Sequence, residues 1–177
     1  AAAQLNNKMS MMNRDVGIKG KEQAEQAKLP SFKESTPKEF KTQLKDVINA
    51  YLDLTAALVN SDKGKAAEHS GKILSNLKQV DMKALDDNAH EYWMKLHGTI
   101  KSETKSITGA KNIDGQRKAF IALSDAMIKT AKVFGADMKL FVQFCPMAND
   151  SKGAYWLSVK EEILNPYYGD MMLHCGE

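Results

Sequence analysis

Thr36-Pro37-Lys38-Glu39-Phe40-Lys41-Thr42-Gln43-Leu44-Lys45-Asp46-Val47-Ile48-Asn49-Ala50-Tyr51-Leu52-Asp53-Leu54-Thr55-Ala56-Ala57-Leu58 opens with helix-start chemistry and then holds one apolar stripe. Thr36 is placed to cap, Pro37 suits the first helical position, and Glu39 can return the capping bond. Behind them Phe40, Leu44, Val47, Ile48, Tyr51, Leu54, Thr55 and Leu58 recur at three- and four-residue steps, which predicts an amphipathic helix of about six turns.

The same period recurs three times downstream. After Ser61-Asp62 the inner face reads Ala66, Ser70, Ile73, Leu74 and Leu77. A third stripe runs Met82, Leu85, Ala89, Trp93, Leu96, Ile100 and Ile107, ending near Thr108-Gly109. The fourth starts around Asn112–Asp114, carries Arg117, Phe120, Ile121, Ser124, Met127, Ile128, Ala131 and Phe134, and stops at Gly135. Short loops between amphipathic helices predict an all-α fold, an up-down-up-down four-helix bundle with an irregular C-terminal tail packed across it. Upstream, residues 1–35 are polar, interrupted by Gly17 and Gly20 and closed by Pro30, and read as a flexible leader. The folded part is then 36–177, with a motif segment over 138–177.

Composition narrows the function classes. A chain of 177 residues can bury a core without staples. Its net charge of +3 comes from interspersed charges, so no nucleic-acid footprint follows. No apolar run approaches the ~20 residues needed to span a bilayer. Glycine-rich phosphate loops, His-Glu-x-x-His and Cys-x-x-Cys are absent, and no base is placed beside a cysteine, which argues against an enzyme.

The tail holds the unusual chemistry. Leu140, Val142 and Phe144 alternate with Phe141 and Gln143, as an extended segment would, and lead into Cys145-Pro146-Met147. Both cysteines lie in this tail, and Met172-Leu173-His174-Cys175 offers a thioether, an imidazole and a thiol within four residues. Thiolate and thioether sulfur are soft ligands that suit copper(I). Cys145 and Cys175 are the principal candidate ligands, Met147 and Met172 soft partners, and Met171, His174 and His90 further candidates. His90 and His97 share a helix face but lie seven residues, about 10 Å, apart, too far to grip one ion directly. Two cysteines flanking a turn-rich segment equally describe a disulfide staple, which would remove both thiolates. Arg117, on an otherwise apolar face, is placed to anchor the tail through a carboxylate or backbone carbonyls.

Val142-Gln143-Phe144-Cys145-Pro146-Met147-Ala148-Asn149-Asp150, Gly153-Ala154-Tyr155-Trp156-Leu157-Ser158, Ile163-Leu164-Asn165-Pro166-Tyr167-Tyr168-Gly169-Asp170 and Met172-Leu173-x-Cys175-Gly176 resemble a bacterial domain family of unknown function, strongest over 141–176. A weaker resemblance covers Asp87–Trp93 and Gln116–Ser124. That family occurs as a small exported protein and at the C-terminus of heavy-metal efflux membrane-fusion (adaptor) proteins. The resemblance implies a periplasmic or otherwise exported envelope protein that handles copper or a related metal and meets an efflux adaptor or pump. The competing expectation is a disulfide-stapled helical module that docks on such an adaptor without a functional metal site.

Overall fold

The computed structural model describes residues 29–177, and the elements named here belong to one unit, Ser31–Glu177. The leader reading over residues 1–28 lies outside the described residues. From Ser31 onward the chain already packs. The Phe32 ring lies 5.8 Å from that of Phe134 and 6.2 Å from that of Tyr92, and its amide donates to Val133 O at 2.9 Å.

Four long helices follow: α1 (Lys38–Val59), α2 (Lys63–Leu77), α3 (Asp87–Gly109) and α4 (Ile113–Phe134). Their starts are set by capping side chains. Asp62 Oδ1 accepts from Lys65 N at 2.9 Å, Asp86 Oδ1 from Ala89 N at 2.9 Å, and Asn112 Oδ1 from Gly115 N at 2.9 Å. At α1 the expected capping box is not made. Pro37 occupies the cap position, and buried Thr36 instead turns its hydroxyl back to Phe32 O at 2.7 Å, closing the entry turn. The third stripe also divides. Met82–Ala84 is a separate 3₁₀ turn, because Leu85 is extended and Asp86 restarts the helix.

Consecutive helices pack on one another and α1 also meets α4. Asn76 Nδ2 bonds Asp46 O at 2.9 Å while His69 faces Asp53, so α1 and α2 run antiparallel. Gln116, early in α4, reaches Ile107 O late in α3, whereas Trp93, early in α3, meets Phe134 at the end of α4. The core has two aromatic centres. At one end Phe40, Trp93 and Phe134 meet at 5.1–5.8 Å. At mid-bundle Tyr51 stacks on Phe120 at 5.3 Å. Each fully buried ring removes a large apolar area from water.

The protein is mostly helical, but the all-α expectation needs correction. Strand β1 (Phe141–Cys145) pairs antiparallel with β2 (Ala154–Ser158), with Val142 opposite Leu157 and Cys145 opposite Ala154. The alternation before Cys145 marked the first strand. The second, Ala154-Tyr155-Trp156-Leu157-Ser158, lacks a clean alternation because Ala154, Trp156 and Leu157 are all buried between the tail and α4. Its docking is tied by Tyr51, whose hydroxyl bonds Ser124 Oγ at 2.7 Å and accepts from Leu157 N at 3.2 Å. Complete burial pushes the Tyr51 phenol up to about 12, so it stays a neutral donor.

Tyr51→Phe leaves the Leu157 amide and the Ser124 hydroxyl without this partner. We expect a loss of about 1–3 kcal/mol in urea unfolding and faster amide exchange at Leu157, with helix content unchanged.

Candidate metal centre in the C-terminal tail

The tail is held by a small number of polar contacts. Arg117 Nε donates to Pro166 O at 2.9 Å, and Nη2 donates to Leu58 O at 3.0 Å and Ser61 Oγ at 2.9 Å. Arg117 therefore anchors the tail through backbone carbonyls, as its place on the fourth stripe suggested. Burial lowers its pKa from the usual arginine value, with Asp114 and Asp170 opposing; arginine nevertheless remains a cation. Gly169 fits against this clamp at φ +56°. A Cβ there would stand 2.7 Å from Arg117 Nη2 and 2.8 Å from Val59 O.

Asn165 is the hub of the last turn. Fully buried, it bonds Cys175 O through Nδ2 at 2.7 Å and accepts from Tyr167 N at Oδ1, while its backbone N–H meets Leu173 O and its carbonyl accepts from Gly169 N. Tyr167 donates to Tyr155 O at 2.6 Å and packs between Phe120 and Trp156. Burial raises its phenol well above the ordinary tyrosine value. Gln143, buried on β1, holds the 160–162 loop through its amide nitrogen. Between the strands, Asn149, Asp150 and Ser151 all lie in the left-handed region, at φ 55–61°. Such backbone costs ~1–2 kcal/mol per non-glycine residue, least for Asn and Asp, and is offset here by the Gly153 N to Ala148 O bond. Gly153 must stay bare, since a Cβ would fall 2.2 Å from the Phe144 ring.

This scaffold brings the two cysteines together. Glu177 N donates to Phe144 O at 2.9 Å and Phe144 N to Glu177 O at 2.8 Å, so the 175–177 segment pairs with β1 on the edge away from β2. Cys145 is fully buried, Cys175 half-buried, neither is in a disulfide, and the two thiols are neighbours. Desolvation, then the neighbouring Cys145, raise the Cys175 thiol above its usual value.

The other sequence candidates are placed unequally. Met147 follows Cys145 by two residues, is exposed, and has its carbonyl held by the Tyr168 hydroxyl at 2.7 Å. Met172 is half-buried and its carbonyl accepts from Cys175 N, so it sits one turn from that thiol. His174 Nδ1 lies 3.0 Å from Ile163 O; a carbonyl only accepts, so Nδ1 is the donor in this contact. Met171 is 75% exposed. His90 is not brought to the tail clamp. It lies on the first turn of α3, beside the Trp93–Phe134 end of the bundle, whereas Arg117 sits at the start of α4, whose 22 residues span about 33 Å. Among the described residues no three His, Cys, Asp or Glu side chains converge as a metal-holding group. Sequence reasoning missed Gln143 and Tyr51 as positioning residues. Gln143 carried a signal, a polar side chain on the same strand face as Cys145.

Fold and site together define a mostly helical protein with a paired-thiol tail. The chain belongs to the family described as Protein of unknown function (DUF3347), whose model matches residues 47–139. That match covers most of the helical part and stops before β1, so it includes neither cysteine. No curated protein and no solved structure matches the chain.

Gly169→Ala forces a left-handed Cβ into the Arg117 clamp. We expect faster amide exchange across 163–177 by at least about tenfold, with α1–α4 protection retained.

Proposed function

We propose that this is an exported heavy-metal-binding protein of the bacterial cell envelope, not an enzyme, that handles copper(I) as cargo in efflux or homeostasis. In this reading an up-down-up-down bundle carries the tail, and an efflux adaptor or pump gives or takes the ion. The observation that carries the reading is that the fold brings Cys145 and Cys175, thirty residues apart in sequence, next to one another with neither in a disulfide. Two thiols with Met147 and Met172 close in sequence form a soft, low-coordinate donor set, which favours copper(I) over ions that need three or four nitrogen, oxygen or sulfur ligands. Met171 and His174 lie within reach in sequence as weaker partners. His90 plays no part in this version of the site. No helix among the described residues is long and apolar enough to cross a membrane.

The test is a copper(I) titration against a competing chelator on protein isolated without reductant, paired with a free-thiol count. Two free thiols and stoichiometric binding are expected. Cys175→Ser, at the half-buried position, and Cys145→Ser should each weaken affinity by about 100-fold or more, ~2.7 kcal/mol, with the far-UV signal near wild type. A double Cys→Ser protein that binds as tightly as wild type would sink the assignment. The same contact also permits a disulfide. No free thiols and no binding would make the tail the stapled docking module instead.

Binding should also follow pH. Cys175 is held above its usual pKa, so near neutrality the ion must displace its proton. Apparent affinity should rise with pH until that pKa is passed and fall by up to ~10-fold per pH unit below it for each thiol proton released. A flat profile from pH 6 to 8, read by the same competition, would show that the thiols are not the ligands.

A further inference from the structure

A second surface stands apart from the tail. The groove between α2 and α3, about 360 Å³, is lined by Leu74, Leu77, Lys78, His97, Lys101 and Lys105. Every titratable or charged side chain facing it, from both helices, is basic. On other faces of the helices some four-residue steps carry opposite charges. Lys72 pairs with Glu68, Lys95 with Glu91 and Lys129 with Asp125, each four residues apart and each at 2.8 Å. At His97, Lys101 and Lys105 the same spacing stacks basic groups on one another. Such like-charge steps are unfavourable in a helix when the groups are charged, where opposite charges would have helped. Among the described residues none of the three lysines has an ion-pair partner. The last carbonyls of α2 are the opposing partial charge, roughly half a unit against three full ones.

We propose that this groove binds a phosphate-bearing ligand, with Lys78, Lys101 and Lys105 neutralising its charge and the His97 imidazole donating to it from the α3 wall. The two leucines form an apolar floor that excludes water from one side, so the ligand is met by cations on the walls and not enclosed. A phosphate source could be a small anion or a lipid headgroup, and both present the same chemistry.

His97 is the reporter. Burial, then the charge of Lys101, lower its pKa from the ordinary histidine value. A bound anion acts in the opposite sense and favours the imidazolium. NMR titration of the His97 ring in the full chain, assigned by its loss in His97→Gln, is followed in sodium pyrophosphate and in sodium chloride of equal ionic strength. Parallel samples contain vesicles of phosphatidylcholine with or without phosphatidic acid.

We expect pyrophosphate to raise the His97 pKa by ~1 unit more than chloride does. The exposed double variant Lys101→Gln/Lys105→Gln, with unchanged far-UV signal, should bind pyrophosphate at least ~10-fold more weakly, through two lost charge-assisted contacts. The same rise with phosphatidic acid vesicles alone would assign the site to a headgroup. If neither phosphate source moves His97 beyond chloride, or if the double variant binds as wild type does, the groove is only a solvated basic face and the proposal fails. The thiol titration is a separate measurement on a separate face, so neither result stands in for the other.

Discussion

The buried guanidinium of Arg117 is the constraint on which the tail depends. Helix α1 ends with no basic residue in its last turn, and its final carbonyls carry the negative end of the helix dipole. Arg117, arriving from the start of α4, adds a charged donor to Leu58 O, which Ser61 N also reaches, and uses another edge of the same plane for Pro166 O. One side chain thus caps one helix, joins it to another and receives the tail. Lysine could not do this, because a single ammonium lacks the planar fork that reaches acceptors on two sides. The cost of burying the cation is met by carbonyl and hydroxyl acceptors and by Asp114 and Asp170 nearby, and the lowered pKa records what remains of it.

From that clamp the thiol contact follows in short steps. Pro166 is fixed, so Asn165 before it is fixed, and its side chain reaches forward to Cys175 O. The chain end then pairs with Phe144, the residue before Cys145. The two sulfurs meet because backbone on both sides of each is hydrogen-bonded, not because the thiols attract one another. Thiol hydrogen bonds are weak and could not pay for ordering thirty residues. A preorganised pair of this kind lowers the cost of binding a two-ligand ion, since little chain entropy remains to be lost.

The helices were legible because each carries a period of three and four, with an Asp or Asn cap at α2 and α4 and a glycine at the end of α4. The division of the third stripe at Asp86 was not, since Met82 and Leu85 continue the apolar pattern while local capping breaks the backbone. Strand β2 was hidden for the opposite reason. Burial on both sides erased its alternation, and its partners lie nine to seventeen residues back across a left-handed turn that Asn149 and Asp150 only weakly announce. In the site, residue types named the cysteines, but no spacing rule could say that they touch or that His90 lies at the far end of α3. Those are facts of tertiary packing, set by Arg117, Asn165 and Tyr51, and only Arg117 stood out beforehand as a cation on an apolar face.

The way the bundle distributes its charges separates two kinds of surface. Tail and strands dock on α1 and α4, where buried contacts are hydrogen bonds to backbone and the sulfur pair is half-covered. The α2–α3 groove is made of side chains alone, with no irregular backbone to hold it. A site built from backbone contacts is lost when one anchor fails, whereas a site built from side chains on two packed helices persists as long as the helices do. The thiol pair should therefore be sensitive to local opening of the tail, and the basic groove only to unfolding of the bundle. Any ligand that stabilises α2 against α3 would do so without tightening the tail, unless the coupling ran through the shared packing of α1 and α4.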